Sequence, residues 1–308
     1  MTARRTVAGR IAARLGTSLL VLWGAVTVAF AALHLTPGDV ADVLIGDSTV
    51  TPEVRAQIVR EYGLDRPVPV QYLTYLGRVL HGDLGRSYQL HESVGEAIGS
   101  QIGPSIQLAL TAFALAATVS VTVATLTAKR RRWVRGLFSG LELVGVSVPS
   151  FWAGILLLTL FSFTLGLFPV TGGLALPAVA LAVPVIAVLT QVLREGLEIA
   201  LDEPFVLTAR SRGMGDLAVR VRHALRHALL PTVTLAGWLV GVLFGGAVIV
   251  EQVFSRPGIG RLTLAAVAGK DLPVVMGVVL VSAALYVVVN ILLDVLYVVI
   301  DPRLRSAS

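Results

Sequence analysis

Residues 208–231 read TARSRGMGDLAVRVRHALRHALLP. The stretch is basic, amphipathic and interrupted by Gly213 and Gly215. On either side lie segments apolar enough to live in a bilayer, Leu174–Leu193 before it and Thr232–Val250 after it. Such an element folds outside hydrocarbon while tied to the membrane at both ends. Its function depends on what it touches.

Helix signals divide the region 202–231 in two. Asp202 or Glu203 precedes Pro204, and proline suits a first helical position. Phe205–Arg212 makes two turns that Gly213 can end. Asp216 is the expected N-cap of a second helix. In that helix Leu217, Val221, Ala224, Leu225 and Ala228 recur at helical spacing and predict one apolar face. Arg220, Arg222, His223, Arg226 and His227 take the remainder, and Pro231 is expected to end the helix. An apolar stripe with basic flanks suits an anionic lipid surface or a groove on a partner, and the pattern alone leaves both open.

The whole chain has 308 residues, of which 55% are hydrophobic and 14% charged, with a mean hydropathy of +0.82. Soluble domains carry about a quarter charged residues, so the composition points to a polytopic membrane protein. The absence of cysteine excludes disulfides, thiolate metal sites and cysteine nucleophiles. The pI near 10.1 reflects basic residues flanking apolar segments, a topology signal rather than a nucleic-acid surface.

A span needs about 20 mostly apolar residues. Six segments qualify: Gly16–Leu35, Ser105–Ala128, Leu141–Leu165, Leu174–Leu193, Thr232–Val250 and Val274–Ile300. In the first, Arg4, Arg5, Arg10 and Arg14 precede an apolar run and Ala29-Phe30-Ala31 resembles a leader cleavage site. The uncharged run Leu15–Leu33 exceeds the 7–15 residues of a leader core, which favours a retained span. Basic residues then cluster on the side of both termini. Only Arg55, Arg60, Arg66, Arg78, Arg86, Arg256, Arg261 and Lys270 fall on the other, and the positive-inside rule places both termini in the cytoplasm. The expected fold is all-α, with six transmembrane helices and a small extracytoplasmic helical insertion. The expected parts are 1–35 (N-terminus and first helix), 36–104 (outer insertion) and 105–308 (five-helix core carrying the 202–231 loop). Within the insertion, Pro52–Tyr62 after Thr51 and Val68–Leu80 read as helices, punctuated by Gly63, Gly82 and Gly85. His81 and His91 read as solvated loop histidines, and no metal-ligand spacing is present.

Neither Lys129 nor Lys270 sits in a phosphate-binding loop pattern, so no ATP hydrolysis is expected through one here. Glu142, Asp294 and His34 are the ionisable candidates near apolar runs, each closer to a span end than to its middle. Glu142 and Asp294 read as interfacial groups that hydrogen-bond or pair with a basic loop residue. A membrane path with no engine of its own implies that another chain supplies one.

The residues then resemble a family. Thr208-Ala209-Arg210-Ser211-Arg212-Gly213 and Arg222-His223-Ala224-Leu225-Arg226-His227-Ala228-Leu229-Leu230-Pro231 are similar to the EAA loop of ABC-importer permeases, in the dipeptide, oligopeptide and nickel group. Ser147-Val148-Pro149-Ser150-Phe151-Trp152, Pro169-Val170-Thr171-Gly172, Glu251–Leu262 and the set Asn290, Asp294, Tyr297 and Asp301-Pro302-Arg303 resemble further motifs of the group. TPGD at 36–39, YGLDRPVPVQYLTYL at 62–76 and HGDLGRSY at 81–88 resemble its B-type subunit. Glu203-Pro204-Phe205-Val206-Leu207 departs from the usual run before the first coupling helix.

The resemblance implies a multi-pass protein of the bacterial plasma membrane. It pairs with a C-type permease, docks one or two P-loop ATPases that use ATP and magnesium, and receives a peptide-like solute from an extracytoplasmic binding protein. The docking residues it implies are Glu203, Thr208, Ala209, Arg210, Arg212, Gly213, Arg222, His223, Arg226 and Pro231. It implies no catalytic, cofactor or metal residue in this chain. A self-sufficient secondary transporter and a membrane assembly protein are the competing classes. The first would show internal repeats and mid-membrane charges.

Overall fold

The computed structural model describes residues 2–35, 37–45, 49–87 and 89–300, without side-chain detail for 2–13, 15, 230 and 293–300. Thr36, Tyr88, Asp301-Pro302-Arg303 and Arg305 lie outside the described residues, as do the side chains of Arg4, Arg5, Arg10, Asp294 and Tyr297. The described elements are helical. In order they are α1 (Thr2–Leu35), α2 (Val40–Ile45), α3 (Pro52–Tyr62), α4 (Val68–Leu80), α5 (Val94–Thr127), α6 (Arg132–Ser147) and α7 (Ser150–Leu157, continuing as a π-helical stretch Leu158–Thr164). Then follow α8 (Ala175–Ala200), α9 (Pro204–Ser211), α10 (Asp216–Val219), a π turn Arg220–Ala224, α11 (Leu225–Val253), α12 (Ile259–Ala268) and α13 (Leu272–Ile300).

Among the described residues five helices are long and apolar enough to cross a bilayer, within α1, α5, α8, α11 and α13. The pair α6 and α7 makes a sixth if it is counted as one broken span. The single helix expected over Leu141–Leu165 is therefore corrected to two helices that meet at 101°. Pro149 is the cause. It lacks an N–H and keeps Val148 out of the helical region, and both residues are extended at ψ 118 and 140. The prolines elsewhere break nothing: Pro104, Pro184 and Pro231 all lie inside helices. In an apolar setting, breaking a helix would strip more backbone groups of partners than one proline does.

The chain divides into two compact units. One holds Met1–Gly103 with Gly258–Leu292. Here α3 and α4 occupy the expected limits. Thr51 caps α3, its hydroxyl accepting from Val54 N–H at 3.4 Å. Gly63 ends α3 at φ 63, a left-handed conformation cheap only for glycine. Ile58 is buried with Leu44 and Ile45 of the short α2, which the sequence reading did not include, against Ala29 and Leu33 of α1. Val94 and Ile98, at the start of α5, pack on Ile259 of α12 and on Val274 and Val278 of α13. Helix α5 begins eleven residues before the expected span start at Ser105, because Ser93 and Glu96 form a capping pair, with Ser93 Oγ donating to Glu96 Oε2 at 2.7 Å.

The other unit, built on Pro104–Pro257, is organised around α8. Within a membrane the attraction between helices comes from close packing rather than from water exclusion, so small residues mark the contacts. Ala178, Ala180, Ala182 and Ala187 of α8 are buried, with Ala112 and Ala116 of α5 and Ala247 of α11. A Cβ on Gly145 of α6 would meet Ala187 Cβ at 3.0 Å, and one on Gly196 would meet Ala228 of α11 at 3.0 Å.

One buried ion pair crosses this packing. Arg194, read from the sequence as a loop charge, lies inside α8 and is 7% exposed. Its guanidinium donates to both carboxylate oxygens of Glu142 on α6, each at 2.6 Å, and to Ser139 Oγ at 3.2 Å. Removing one partner strands a buried charge and costs about 3–5 kcal/mol, whereas replacing both by apolar groups leaves none stranded. Arg194→Met alone is therefore expected to lower the thermal unfolding midpoint in detergent, and Glu142→Leu added to it is expected to restore most of the loss. A double variant no more stable than the single one would contradict the assignment.

Candidate functional site

Helices α9 and α10 and the π turn form a knob at one end of α8 and α11. Its first corner is a complete helix-ending motif. Gly213, at φ 81, gives its N–H to Arg210 O at 2.9 Å, and Met214 N–H reaches Ala209 O at 3.2 Å. The apolar contact that accompanies such a motif is present. Met214 packs with Val206, Ala209 and Val219, beside Phe205 and Leu201.

Asp216 braces the corner. Its carboxylate accepts from Arg210 Nη2 at 3.0 Å and from Arg220 Nε at 2.8 Å. Burial pushes this carboxyl up, but the two guanidiniums outweigh that and hold it below the usual aspartate value. The N-cap of α10 is Gly215, without a side-chain bond, so the expected capping role of Asp216 is corrected to an ion-pair role.

Arg220 ties the knob to the bundle. It is 5% exposed, and Nη1 donates to the carbonyls of Thr125 at 3.0 Å and Ala128 at 2.5 Å. These belong to the last turn of α5 and its exit, where carbonyls lack helical partners and the helix dipole is negative. Lys129, at φ 52, pairs with Asp202, and Arg135 lies 3.6 Å from Glu198, so cations of the α5–α6 connection meet acids at the end of α8. The sequence reading treated Arg220 as one of several solvated cations. Only its distance from Asp216, one helical turn, could have singled it out.

The other singled-out residues separate into two groups. Ala209 is 7% exposed and packs inward against Val206 and Val219. Pro231 lies inside α11 rather than ending a helix. Glu203 precedes α9 as its N-cap, with no side-chain capping bond. His223 is partly buried, with ring centroid 6.4 Å from Phe205, while His227 stacks on Phe205 at 5.1 Å. Thr208, Arg210, Arg212, Gly213, Arg222 and Arg226 lie on the exposed side.

The apolar face expected through Leu217 and Val221 is rotated. Those two are 56% and 52% exposed, whereas Val219, Ala224 and Ala228 are buried. The π turn at Arg220–Ala224 accommodates an extra residue, which shifts the helical phase between the two sets. Leu207 of α9 is likewise exposed, at 76%.

Two further motifs meet in the same unit. Arg256, after α11, donates to the carbonyls of Gly172 and Gly173, each at 3.2 Å, and to Gln107 Oε1 at 2.9 Å. Glu251 is fully buried and accepts from Ser105 Oγ at 2.5 Å.

Arg220→Ala removes two charged hydrogen bonds to the end of α5, worth about 1.5–3 kcal/mol each. Amide exchange across 202–224 is expected to speed up by at least about tenfold, while α8 stays protected. Unchanged exchange in the knob would mean that its other contacts suffice to hold it.

Comparison with known proteins gives this geometry its setting. The family model described as the binding-protein-dependent transport system inner membrane component matches residues 119–306, and its N-terminal companion matches residues 9–109. A protein of Brucella abortus (strain 2308), whose name marks it as an inferred peptide transport system permease, is 38% identical over 306 residues, covering 95% of this chain and 97% of its own. The dipeptide transport system permease protein DppB of Escherichia coli (strain K12) is 34% identical over 329 residues, with the same coverage. Among solved structures, an inward-facing MetNI methionine ABC transporter chain matches with a TM-score of 0.52 at 16% identity, over 65% of this chain and 92% of that one, a likeness of fold. With both family models matched and relatives similar from end to end, the chain belongs to the inner membrane components of binding-protein-dependent transport systems.

Proposed function

We propose that this chain is the permease subunit of an ATP-driven, binding-protein-dependent importer of dipeptides or oligopeptides. It forms half of the translocation path beside a second, C-type permease. Both termini and the knob lie in the cytoplasm, and a binding protein delivers the solute on the opposite side. ATP is hydrolysed in one or two partner ATPases that receive the knob. The orientation rests on the distribution of Lys and Arg. The substrate class follows the names of the Brucella and Escherichia relatives.

One observation carries the docking role. The knob is braced from within by Asp216, Arg210 and Arg220, yet presents Leu207, Leu217 and Val221 outward. Arg212, Arg222 and Arg226 of the same loop are also exposed, with no ion-pair partner among the described residues. Exposed apolar and cationic side chains on one braced element fit a cleft with acidic margins. Closing two ATPases around ATP would then move the knobs as levers and switch the path between its two faces.

The exposed Leu217 offers a test of docking against lipid binding. Leu217→Glu is expected to reduce ATP-dependent uptake and ATPase co-purification while the chain still inserts. Gly213→Asp forces a side chain into the left-handed region at about 1–2 kcal/mol, so uptake is expected to fall by about tenfold with insertion unchanged. Reconstituted vesicles with and without the ATPase chains and ATP provide the measurement. Uptake by the chain alone on a proton gradient would overturn the proposal.

A further inference from the structure

In the unit that contains α1, helix α4 is built inside out. Its polar side chains face protein. Gln71 is buried, its amide donating to the carbonyls of Arg66 at 2.8 Å and Leu64 at 3.2 Å, with Oε1 3.0 Å from His34 Nε2 on α1. The Tyr72 hydroxyl lies 2.9 Å from Thr27 Oγ1 of α1. Arg78 donates to Asp83 Oδ2 at 2.7 Å and covers the Tyr62 ring at 4.4 Å. The opposite face carries Val70, Leu73, Gly77 and Leu80, without a charge, and Leu73 and Leu80 are 64% and 78% exposed. Thr74, at the edge of this face, returns its hydroxyl to Val70 O at 2.9 Å. A helix lying in water shows the reverse arrangement.

The contact with α1 sets the depth. Thr27 precedes Leu35, the last residue of the candidate span Gly16–Leu35, by eight positions, about 12 Å of helix axis. Tyr72 therefore lies beside the apolar run of α1 rather than beyond its end, and Phe30 meets Tyr72 edge to face and Tyr75 at a tilt, with centroids at 5.2 and 5.9 Å. On α1 itself Val28 and Leu35 are 64% and 81% exposed.

We propose that α4 is an interfacial membrane helix whose Val70, Leu73 and Leu80 stripe is immersed in the acyl chains of the leaflet reached by the Leu35 end of α1. This rests on α1 being a span. A bilayer that takes up α1 would reach the α4 stripe as well, because the Tyr72–Thr27 contact holds α4 beside the apolar run, and Tyr72 and Tyr75 take the amphipathic positions that interfacial helices give to such rings.

The chain contains no cysteine, so single probes can be placed without removing any native residue. Leu73→Cys and Leu80→Cys, with Val28→Cys as lipid reference and Glu53→Cys as water reference, are spin-labelled in the full chain in phosphatidylcholine–phosphatidylglycerol vesicles. Collision with oxygen is compared with collision with a water-soluble nickel chelate, alone and in the assembled complex. The expected oxygen-to-nickel ratio at both α4 positions matches Val28 and exceeds Glu53 by roughly tenfold. A ratio like that of Glu53 places the stripe in water and overturns the proposal. Shielding from both quenchers in the complex assigns the stripe to a protein partner and overturns it equally. If Val28 itself reads as wet, the failure lies in the span assignment of α1.

Discussion

Close contact between Gly196 of α8 and Ala228 of α11 is the constraint on which the larger unit turns. In hydrocarbon no water is left to drive helices together, so backbones must approach until dispersion is strong. Ala228 lies one turn past the π turn that ends the knob. The same helix therefore leaves the knob, locks onto α8 and continues across the bundle. A displacement of the knob enters the core through that contact, because a close-packed interface passes on a shift that a loose one would absorb.

The ion pairs complement this packing. Arg220 reaches the buried carbonyls at the end of α5 while Asp216 accepts from its Nε, and Lys129 with Asp202 closes the same end. The corner at Gly213 is held by backbone bonds, the Met214 contact and the Asp216 brace, so Arg212, Arg222 and Arg226 are left for other contacts. The interior arginine and the peripheral ones thus differ in role although they alternate along one stretch of chain.

Much of this was legible from periodicity and turn chemistry. Thr51 before Pro52 and Gly63 after Tyr62 marked α3 to the residue, and the Gly213 corner followed from glycine alone. What escaped depends on long-range partners. The face of Leu217 and Val221 was misassigned because apolar spacing presumes an uninterrupted α-helix, and a π turn leaves no mark in hydrophobicity. Arg194 looked like a loop charge because its carboxylate lies on another helix. Asp216 resembled a cap because its competing guanidiniums are brought together only by the fold. Pro149 and Pro231 carry the same residue type in apolar surroundings, yet one breaks a helix and the other does not.

The Glu142–Arg194 pair also bears on how the chain is made. The partners stand 52 residues apart, so at synthesis rates of about 5–20 residues per second the carboxylate emerges roughly 3–10 seconds before its guanidinium. For that interval an ionised Glu142 has no counter-charge and is costly in hydrocarbon. Helix α6 is therefore better placed near the headgroups until α8 arrives. The elbow at Pro149 uncouples α6 from α7 and permits that wait. Insertion of this region is thus a concerted act of two helices rather than a sequence of independent ones, its order set by a single salt bridge.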